Sequence, residues 1–251
     1  MTRTLTLLIA GLLGALPVQA DFTLVGRSTL TALNMPNQGR EVLYVKKHQM
    51  RRDLSDRGRA YTYLYDLRRN EVILVDHFLR QYERHVLSSG KAARPAGVRL
   101  DLDPTGRQHP LADWSCEEHA LTASMASTLG QEKVTVVLQG QVWLERRAKA
   151  RKEIEPFVKA VEAEDFFVGA ATPGKPASAQ AEGINEAMRQ VLGKGMVCAA
   201  EIQVKYEGGG PMADLARRMA TRASLVYESI SDEALADGVF VPPAGYRDTS
   251  R

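Results

Sequence analysis

Short segments in which apolar and polar residues alternate restrict the fold of this chain most strongly. The clearest of them has its apolar side chains at Val134, Val136, Leu138, Val142 and Leu144. Because successive side chains of a strand point to opposite faces, this spacing predicts an antiparallel strand that is buried on one face.

A hairpin is predicted in the first half of the chain. Tyr61, Tyr63 and Tyr65 alternate with other residues, and the link 68–70 leads directly into the apolar run 72–75. A link this short between two apolar segments favours a β-hairpin, and its asparagine tolerates the left-handed conformation that such turns need. With similar segments elsewhere, the chain is expected to contain a large antiparallel sheet.

Two segments have the spacing of amphipathic helices, one over residues 154–166 and one over residues 184–192. Between them, residues 171–183 are rich in Pro, Ala, Ser and Gly, which predicts a mobile linker. Strands followed by helices and then by further strands favour an α+β fold, with helices on one side of an antiparallel sheet.

Residues 1–20 have the layout of a secretory signal peptide. Arg3 gives a positive start, residues 5–16 form an apolar run, and residues 18–20 resemble a cleavage site. A run of 12 residues is shorter than the roughly 20 needed to span a bilayer, so cleavage is favoured over the alternative of a membrane anchor. We expect a mature domain of residues 21–251 in the periplasm, with no lipid anchor and no stable membrane insertion.

Export changes the interpretation of the two cysteines, Cys116 and Cys198. In an oxidising compartment two thiols usually pair, although two unpaired buried thiols remain the alternative. One bridge would close a loop of 82 residues and stabilise the fold by about 4 kcal/mol. Two cysteines cannot fill the four positions of a structural zinc site.

Several segments together resemble a known family. They are a basic strand that ends at residues 50–53, the segments 65–67 and 72–76, the segment 114–119, and a C-terminal segment over residues 240–246. In their order they resemble the exported half-barrel proteins related to the lipoprotein-localisation factors LolA and LolB, especially an uncharacterised bacterial branch. The resemblance would cover residues 22–247.

The resemblance implies a strongly curved antiparallel sheet, an open half-barrel wrapped around helices. In better-known relatives the space between sheet and helices is a cavity that holds acyl chains or another hydrophobic ligand. The residues that we expect to line such a cavity are Tyr61, Tyr63, Tyr65, Val136, Leu138, Val142, Trp143, Phe157 and Val161. The alternative is ordinary packing of a sheet against a helix.

Charge excludes some partners and suggests others. The 33 Lys and Arg residues nearly balance 30 Asp and Glu residues, which does not suggest a nucleic-acid-binding protein. A local cluster on the early strands contains Lys46, Lys47, Arg51 and Arg52. It predicts either a patch for anionic headgroups or an acidic partner, or the solvated outer face of a sheet.

No catalytic or metal-binding pattern is convincing. Glu117 with His119, and Asp101 with Asp103, could share a strand face, but no third ligand lies near either pair. We therefore expect an exported, monomeric protein without enzymatic activity, cofactor or metal, which binds a hydrophobic or lipid-like ligand. The alternative is an envelope interaction module, a sensor or scaffold, whose basic strands dock an acidic protein.

Overall fold

A computed structural model of the chain describes residues 21–32, 35–56, 58–87, 90, 97–148, 153–163, 166–167, 179–219 and 221–250. The predicted signal peptide lies outside these ranges, as do residues 171–178 of the predicted linker. The last residues of that linker, 179–183, belong to a helix.

The described residues form twelve strands and three helices. The strands are β1 (Phe22–Ala32), β2 (Met35–Lys46), β3 (Gln49–Asp56), β4 (Arg59–Asp66), β5 (Glu71–Asp76), β6 (Gln81–Val86), β7 (Arg99–Leu111), β8 (Trp114–Leu129), β9 (Glu132–Glu145), β10 (Met196–Glu207), β11 (Thr221–Ser231) and β12 (Arg247–Asp248). The helices are α1 (Glu155–Ala160), α2 (Ala179–Lys194) and α3 (Pro211–Arg218), and a 3-10 turn covers Asp237–Phe240. None of these helices is long and apolar enough to cross a membrane.

All twelve strands belong to one sheet, in the order β12-β6-β5-β4-β3-β2-β1-β11-β10-β9-β8-β7. Neighbours are antiparallel except for β12, which pairs with β6 in parallel. The pairing of β1 with β11 joins the hairpins β1–β6 to the hairpins β7–β11. The sheet does not close, because β12 and β7 lie at its two edges.

The prediction of an α+β fold with helices wrapped by the sheet is wrong, because the fold is dominated by strands. The three helices have only 6, 16 and 8 residues. Strand β7 runs through residues 103–106, which have the sequence of a turn. Its register shifts between Pro104 and Gln108, and an edge strand tolerates such a bulge and its prolines because its outer side needs no partner.

The predicted hairpin is confirmed as β4 and β5, with Tyr65 paired to Val72. Asn70 has a φ of 50°, the left-handed conformation expected at this turn. The predicted strand over residues 134–144 is also confirmed, as part of β9.

Three apolar clusters hold the sheet. The first joins β1–β5 to α1 through side chains that include Phe22, Leu24, Leu43, Val45, Tyr65, Val72, Phe157 and Val161. The second joins β8 and β9 to α2 through Leu121, Met125, Val136, Leu144, Ala187 and Val191. The third lies on the other face of β4 and β5 and contains Leu64, Ile73 and Val75, with Tyr82 and Tyr246 packed against them. Strands β4 and β5 are thus covered on both faces, which explains the uninterrupted apolar run 72–75.

Residues 235–249, which we name the C-terminal strap, cross the sheet from β1 to β6 over this third cluster. Its bonds to the sheet are Leu235 N–H to Asp21 (2.8 Å), Arg51 Nη1 to Val239 O (2.9 Å), Tyr246 Oη with His77 Nδ1 (3.0 Å), and Thr249 N–H to Tyr82 O (2.9 Å). The strap therefore covers the apolar side chains on this face of the sheet, as a layer of helices does in other sheet proteins.

The predicted disulfide between Cys116 and Cys198 is confirmed. The two residues lie in β8 and β10, which flank β9, yet their Cα atoms are only 6.3 Å apart. In a flat sheet two strand spacings would separate them by about 9.6 Å. The sheet therefore bends sharply over β9, and a register shift at Cys198 accompanies the bend.

A close approach of β9 and β10 generates a stability prediction. A Cβ atom added at Gly140 would lie 1.8 Å from the carbonyl oxygen of Glu201, so Gly140→Ala must displace the backbone. We expect a loss of about 1–3 kcal/mol in the free energy of unfolding, measured by urea denaturation. Gly193→Ala is the matched control, because its Cβ meets nothing within 4 Å and alanine favours the helix by about 0.5–1 kcal/mol. Equal stability of the two variants would contradict the prediction.

Candidate functional site

The nine residues predicted to line one cavity are divided between two clusters. Five of them belong to the first cluster: Tyr63, Tyr65, Trp143, Phe157 and Val161. Three belong to the second cluster: Val136, Leu138 and Val142. Tyr61 is in neither of these and is half-buried. The alternation rule itself separates Val142 from Trp143, because neighbouring residues of a strand face opposite sides.

Tyr65 has a packing role. It is buried, its ring stacks on Phe166 with a centroid distance of 4.8 Å, and its hydroxyl donates to the carbonyl oxygen of Phe166 at 3.1 Å. Burial raises the pKa of this phenol above its ordinary value of 10.0. Tyr65 therefore fastens the segment after α1 to the sheet, in agreement with the alternative of ordinary packing.

A buried polar triad lies on the same face as Tyr63 and Tyr65. The Arg52 guanidinium donates through Nε and Nη2 to both carboxylate oxygens of Glu41, at 2.9 and 3.0 Å. The Tyr227 hydroxyl donates to Glu41 Oε1 at 2.6 Å. Only 3% of Glu41 is exposed, so these bonds replace the water that its carboxylate loses on folding.

The electrostatics of the triad follow from this burial. Burial by itself would lower the pKa of Arg52, but the charge of Glu41 and its hydrogen bonds outweigh that effect and raise the pKa. Burial first, and the charge of Glu41 second, raise the pKa of Tyr227 well above 10.0. The triad therefore holds one ion pair and one neutral phenol at neutral pH.

Gly26 leaves the space in which Tyr227 sits. A Cβ atom at this position of β1 would lie 2.8 Å from the Tyr227 ring and 2.6 Å from the carbonyl oxygen of Val226. The triad thus joins the β2–β3 hairpin to β11, which is distant in sequence, and for this reason the sequence pattern alone did not identify it.

The predicted basic patch does not form one surface. Arg52 points to the triad, whereas Arg51 points to the opposite face, where it binds Asp53 at 2.9 Å and the strap. Lys46 lies 2.9 Å from the Asp237 carboxylate, near the start of the strap. Lys47 lies in the turn between β2 and β3 with a φ of 54°. Three of the four basic residues are therefore used by the chain itself.

A hydrogen-bonded row connects the strap to the sheet beside Arg51. Asp53 accepts from the Thr62 hydroxyl at 2.5 Å, and Thr62 Oγ1 is 2.9 Å from His77 Nε2. Because the Thr62 proton goes to Asp53, His77 Nε2 must be the donor to Thr62. In the neutral imidazole, Nδ1 then accepts from the Tyr246 hydroxyl. Each member has a partner in the row, so its role is to hold the strap.

The acidic and histidine pairs considered from sequence do not form a metal site. His119 is buried and its Nδ1 lies 3.1 Å from the backbone oxygen of Glu117, while the Glu117 carboxylate lies 3.6 Å from Arg146. Asp101 and Asp103 are exposed on the edge strand β7. Among the described residues, no three His, Cys, Asp or Glu side chains come together as metal ligands would.

The best-placed concave site is a groove between α1 and the ends of the early strands, which we name the α1 groove. Its volume is about 560 Å³. Its apolar lining residues include Leu67, Leu87, Ala160 and Ala163, and its polar lining residues include His48, Asn70, Lys159 and Glu162. Leu87 and Leu67 also belong to the first cluster or pack against it, so the groove is an extension of the space between sheet and helix.

A second groove, of about 540 Å³, lies at the tips of β8 and β9. It is lined by residues 126–128, 133–135 and 207–208. None of the residues predicted to bind a ligand lines this groove, although Thr135 is the chain neighbour of Val136. The second groove is therefore a suitable control site.

The buried triad generates a second stability prediction. Arg52→Met leaves the Glu41 carboxylate buried without its cation, so we expect a loss of about 3–5 kcal/mol in the free energy of unfolding at pH 7. Arg27→Met removes an exposed ion pair with Glu228 and should cost less than about 1 kcal/mol. Urea denaturation of both variants measures the difference. If Arg52→Met costs no more than Arg27→Met, the triad is not a structural centre.

Comparison with known proteins gives only distant structural likenesses. No family model matches the sequence, and no curated protein matches it. One similar solved structure, described as that of PNGF-II, has 10% identity and a TM-score of 0.37. The alignment covers 92% of this chain and 31% of that chain, so this chain spans about a third of that protein's length. Another, a LolA superfamily protein (NE2245) from Nitrosomonas europaea, has 10% identity and a TM-score of 0.28, and the alignment covers 89% of this chain and 91% of that one.

Proposed function

We propose that this protein binds a hydrophobic or lipid-like ligand without catalysing a reaction, and that the α1 groove is the binding site. The observation that carries this proposal is the continuity of the groove with the first apolar cluster. Leu67 and Leu87 line the groove and also contact that cluster. A ligand there would extend an apolar surface that the protein already buries.

The size and lining of the α1 groove suit such a ligand. Its volume of about 560 Å³ lies within the range of about 300–1,000 Å³ that is usual for small-molecule sites. It is lined by apolar side chains and by His48, Asn70, Lys159 and Glu162. This combination fits a molecule with an apolar body and a polar end, because the polar groups can remain hydrated or bind the polar end.

The resemblance to LolA- and LolB-related proteins supports the same class of ligand. It rests on the sequence segments described above. The alternative of an acidic partner docking on Lys46, Lys47, Arg51 and Arg52 is less favoured, because Lys46 and Arg51 hold the strap and Arg52 binds Glu41.

Blocking the groove tests the binding proposal. Ala160→Trp places a large side chain in the α1 groove and should weaken binding of the fluorescent fatty acid cis-parinaric acid by at least about tenfold, which is 1.4 kcal/mol. The control is Ala126→Trp, which fills the second groove instead and should leave the affinity unchanged. Fluorescence titration of both variants gives the answer. Binding that survives Ala160→Trp, or is absent from the natural protein, would show that the groove is not the site.

We further propose that the protein acts in the periplasm after removal of residues 1–20. The buried disulfide supports this location, since such bonds persist in oxidising compartments. N-terminal sequencing of protein recovered from the periplasm should begin at Asp21, and thiol titration after denaturation without reductant should find no free thiol. An intact leader or two reactive thiols would contradict export.

A further inference from the structure

Exposed apolar side chains are concentrated at one end of the sheet. Among the described residues, eight large apolar side chains are conspicuously exposed, and five of them lie at this end. We name these five the apolar rim: Met35, Phe78, Leu79, Met212 and Leu215. The hairpin topology places them at the same end of the sheet, because β2 starts, β5 ends, β10 ends and β11 starts there.

The turn between β5 and β6 presents two adjacent apolar side chains to solvent. Phe78 is 67% exposed and Leu79 is 54% exposed. The turn is held in place, because the Asp76 carboxylate accepts the Leu79 N–H at 2.9 Å and His77 is bound to Thr62 and Tyr246. A turn fastened on both sides keeps Phe78 and Leu79 outside the core.

Helix α3 presents a second apolar pair. Glu132 accepts the backbone N–H groups of Met212 and Ala213 at 3.1 and 3.0 Å, which fixes the start of the helix. Ala213 is buried beneath the helix, and Met212 and Leu215 face outward. They border a groove of about 200 Å³.

Exposed basic residues surround the apolar rim and slightly outnumber the acidic ones. Exposed basic residues at this end are Arg59, Arg80, Lys133, Arg217, Arg218 and Arg222. The Arg59 guanidinium lies 5.3 Å from the centre of the Phe78 ring. The acidic residues at this end are Asp76, Glu132, Asp214 and Glu207, together with Asp56 at the end of β3. The Asp214 carboxylate pairs with Arg217, and those of Asp76 and Glu132 accept backbone N–H groups.

We propose that the apolar rim docks onto the surface of an anionic lipid bilayer. Phe78 and Met212 lie on connections six strand spacings apart, about 30 Å along the sheet, so the apolar groups do not form one groove. A flat partner can contact them together, and arginines beside exposed aromatic and aliphatic side chains match the boundary between headgroups and acyl chains. The α1 groove opens at the opposite end of the sheet, next to the β2–β3 and β4–β5 turns, so this inference does not rest on the proposed ligand site.

Vesicle co-sedimentation tests this proposal with the purified protein. We expect binding to vesicles of equal phosphatidylglycerol and phosphatidylcholine, and weak binding to phosphatidylcholine alone. The double variant Phe78→Ser with Leu79→Ser should lower the partition coefficient by at least about tenfold, because two apolar side chains no longer enter the bilayer. Arg59→Glu with Arg80→Glu should lower it by a similar factor on anionic vesicles only.

Val86→Ser is the matched control, because Val86 is 79% exposed but lies at the opposite end of β6. Its partition coefficient should equal that of the natural protein. Met212→Ser with Leu215→Ser provides a second variant at the rim, and thermal melting checks that each variant is folded. Three outcomes would overturn the proposal. The first is equal binding to both kinds of vesicle, and the second is a loss of binding in Val86→Ser as large as that in Phe78→Ser with Leu79→Ser. The third is capture of a soluble protein through Phe78 without any binding to vesicles.

Discussion

The structure depends on covering both faces of an open sheet. Strands β4 and β5 carry apolar side chains on each side, and the three helices are too short to cover both. Helix α1 covers one face, and the C-terminal strap covers the other by packing Tyr246 over Leu64, Ile73 and Val75. Without the strap, about three large apolar side chains would be exposed to water, at roughly 1.5–3 kcal/mol each. The last residues of the chain are therefore a structural layer.

This cover determines what the charged residues can do. Arg51 and Lys46 bind the strap, and Arg52 compensates the buried carboxylate of Glu41. The basic residues that are neighbours in the sequence therefore lie on two faces of the sheet. Lys46 and Arg51 bind the strap on one face, and Arg52 binds Glu41 on the other. The cost of leaving a buried carboxylate alone is high, so Arg52, Glu41 and Tyr227 tie β3, β2 and β11 together. The two surfaces proposed for partners lie at the two ends of the sheet.

Those two ends differ in shape and chemistry. One end holds the α1 groove, a concave site of apolar and polar side chains that suits a small amphipathic molecule. The other end holds the apolar rim, a set of exposed apolar side chains among arginines. The sharp bend over β9, closed by the Cys116–Cys198 bridge, keeps β8 and β10 close and fixes the shape of the sheet between these ends. The two proposed activities are thus separated in space and can be altered independently.

The sequence by itself determined the strands whose alternation is strict, such as β9, and the β4–β5 hairpin, since local spacing and turn residues decide these. It also predicted the disulfide, because the expectation of export made pairing of the two cysteines the favoured interpretation. Only the tertiary structure decided the strand-dominated fold, since the edge position of β7 allows residues 103–106 to continue a strand. The tertiary structure also placed Tyr65 and Val136 in different apolar clusters and brought Tyr227 to Glu41, because those contacts depend on which distant strands become neighbours. Local patterns report which face a residue occupies, whereas long-range pairing decides what covers that face.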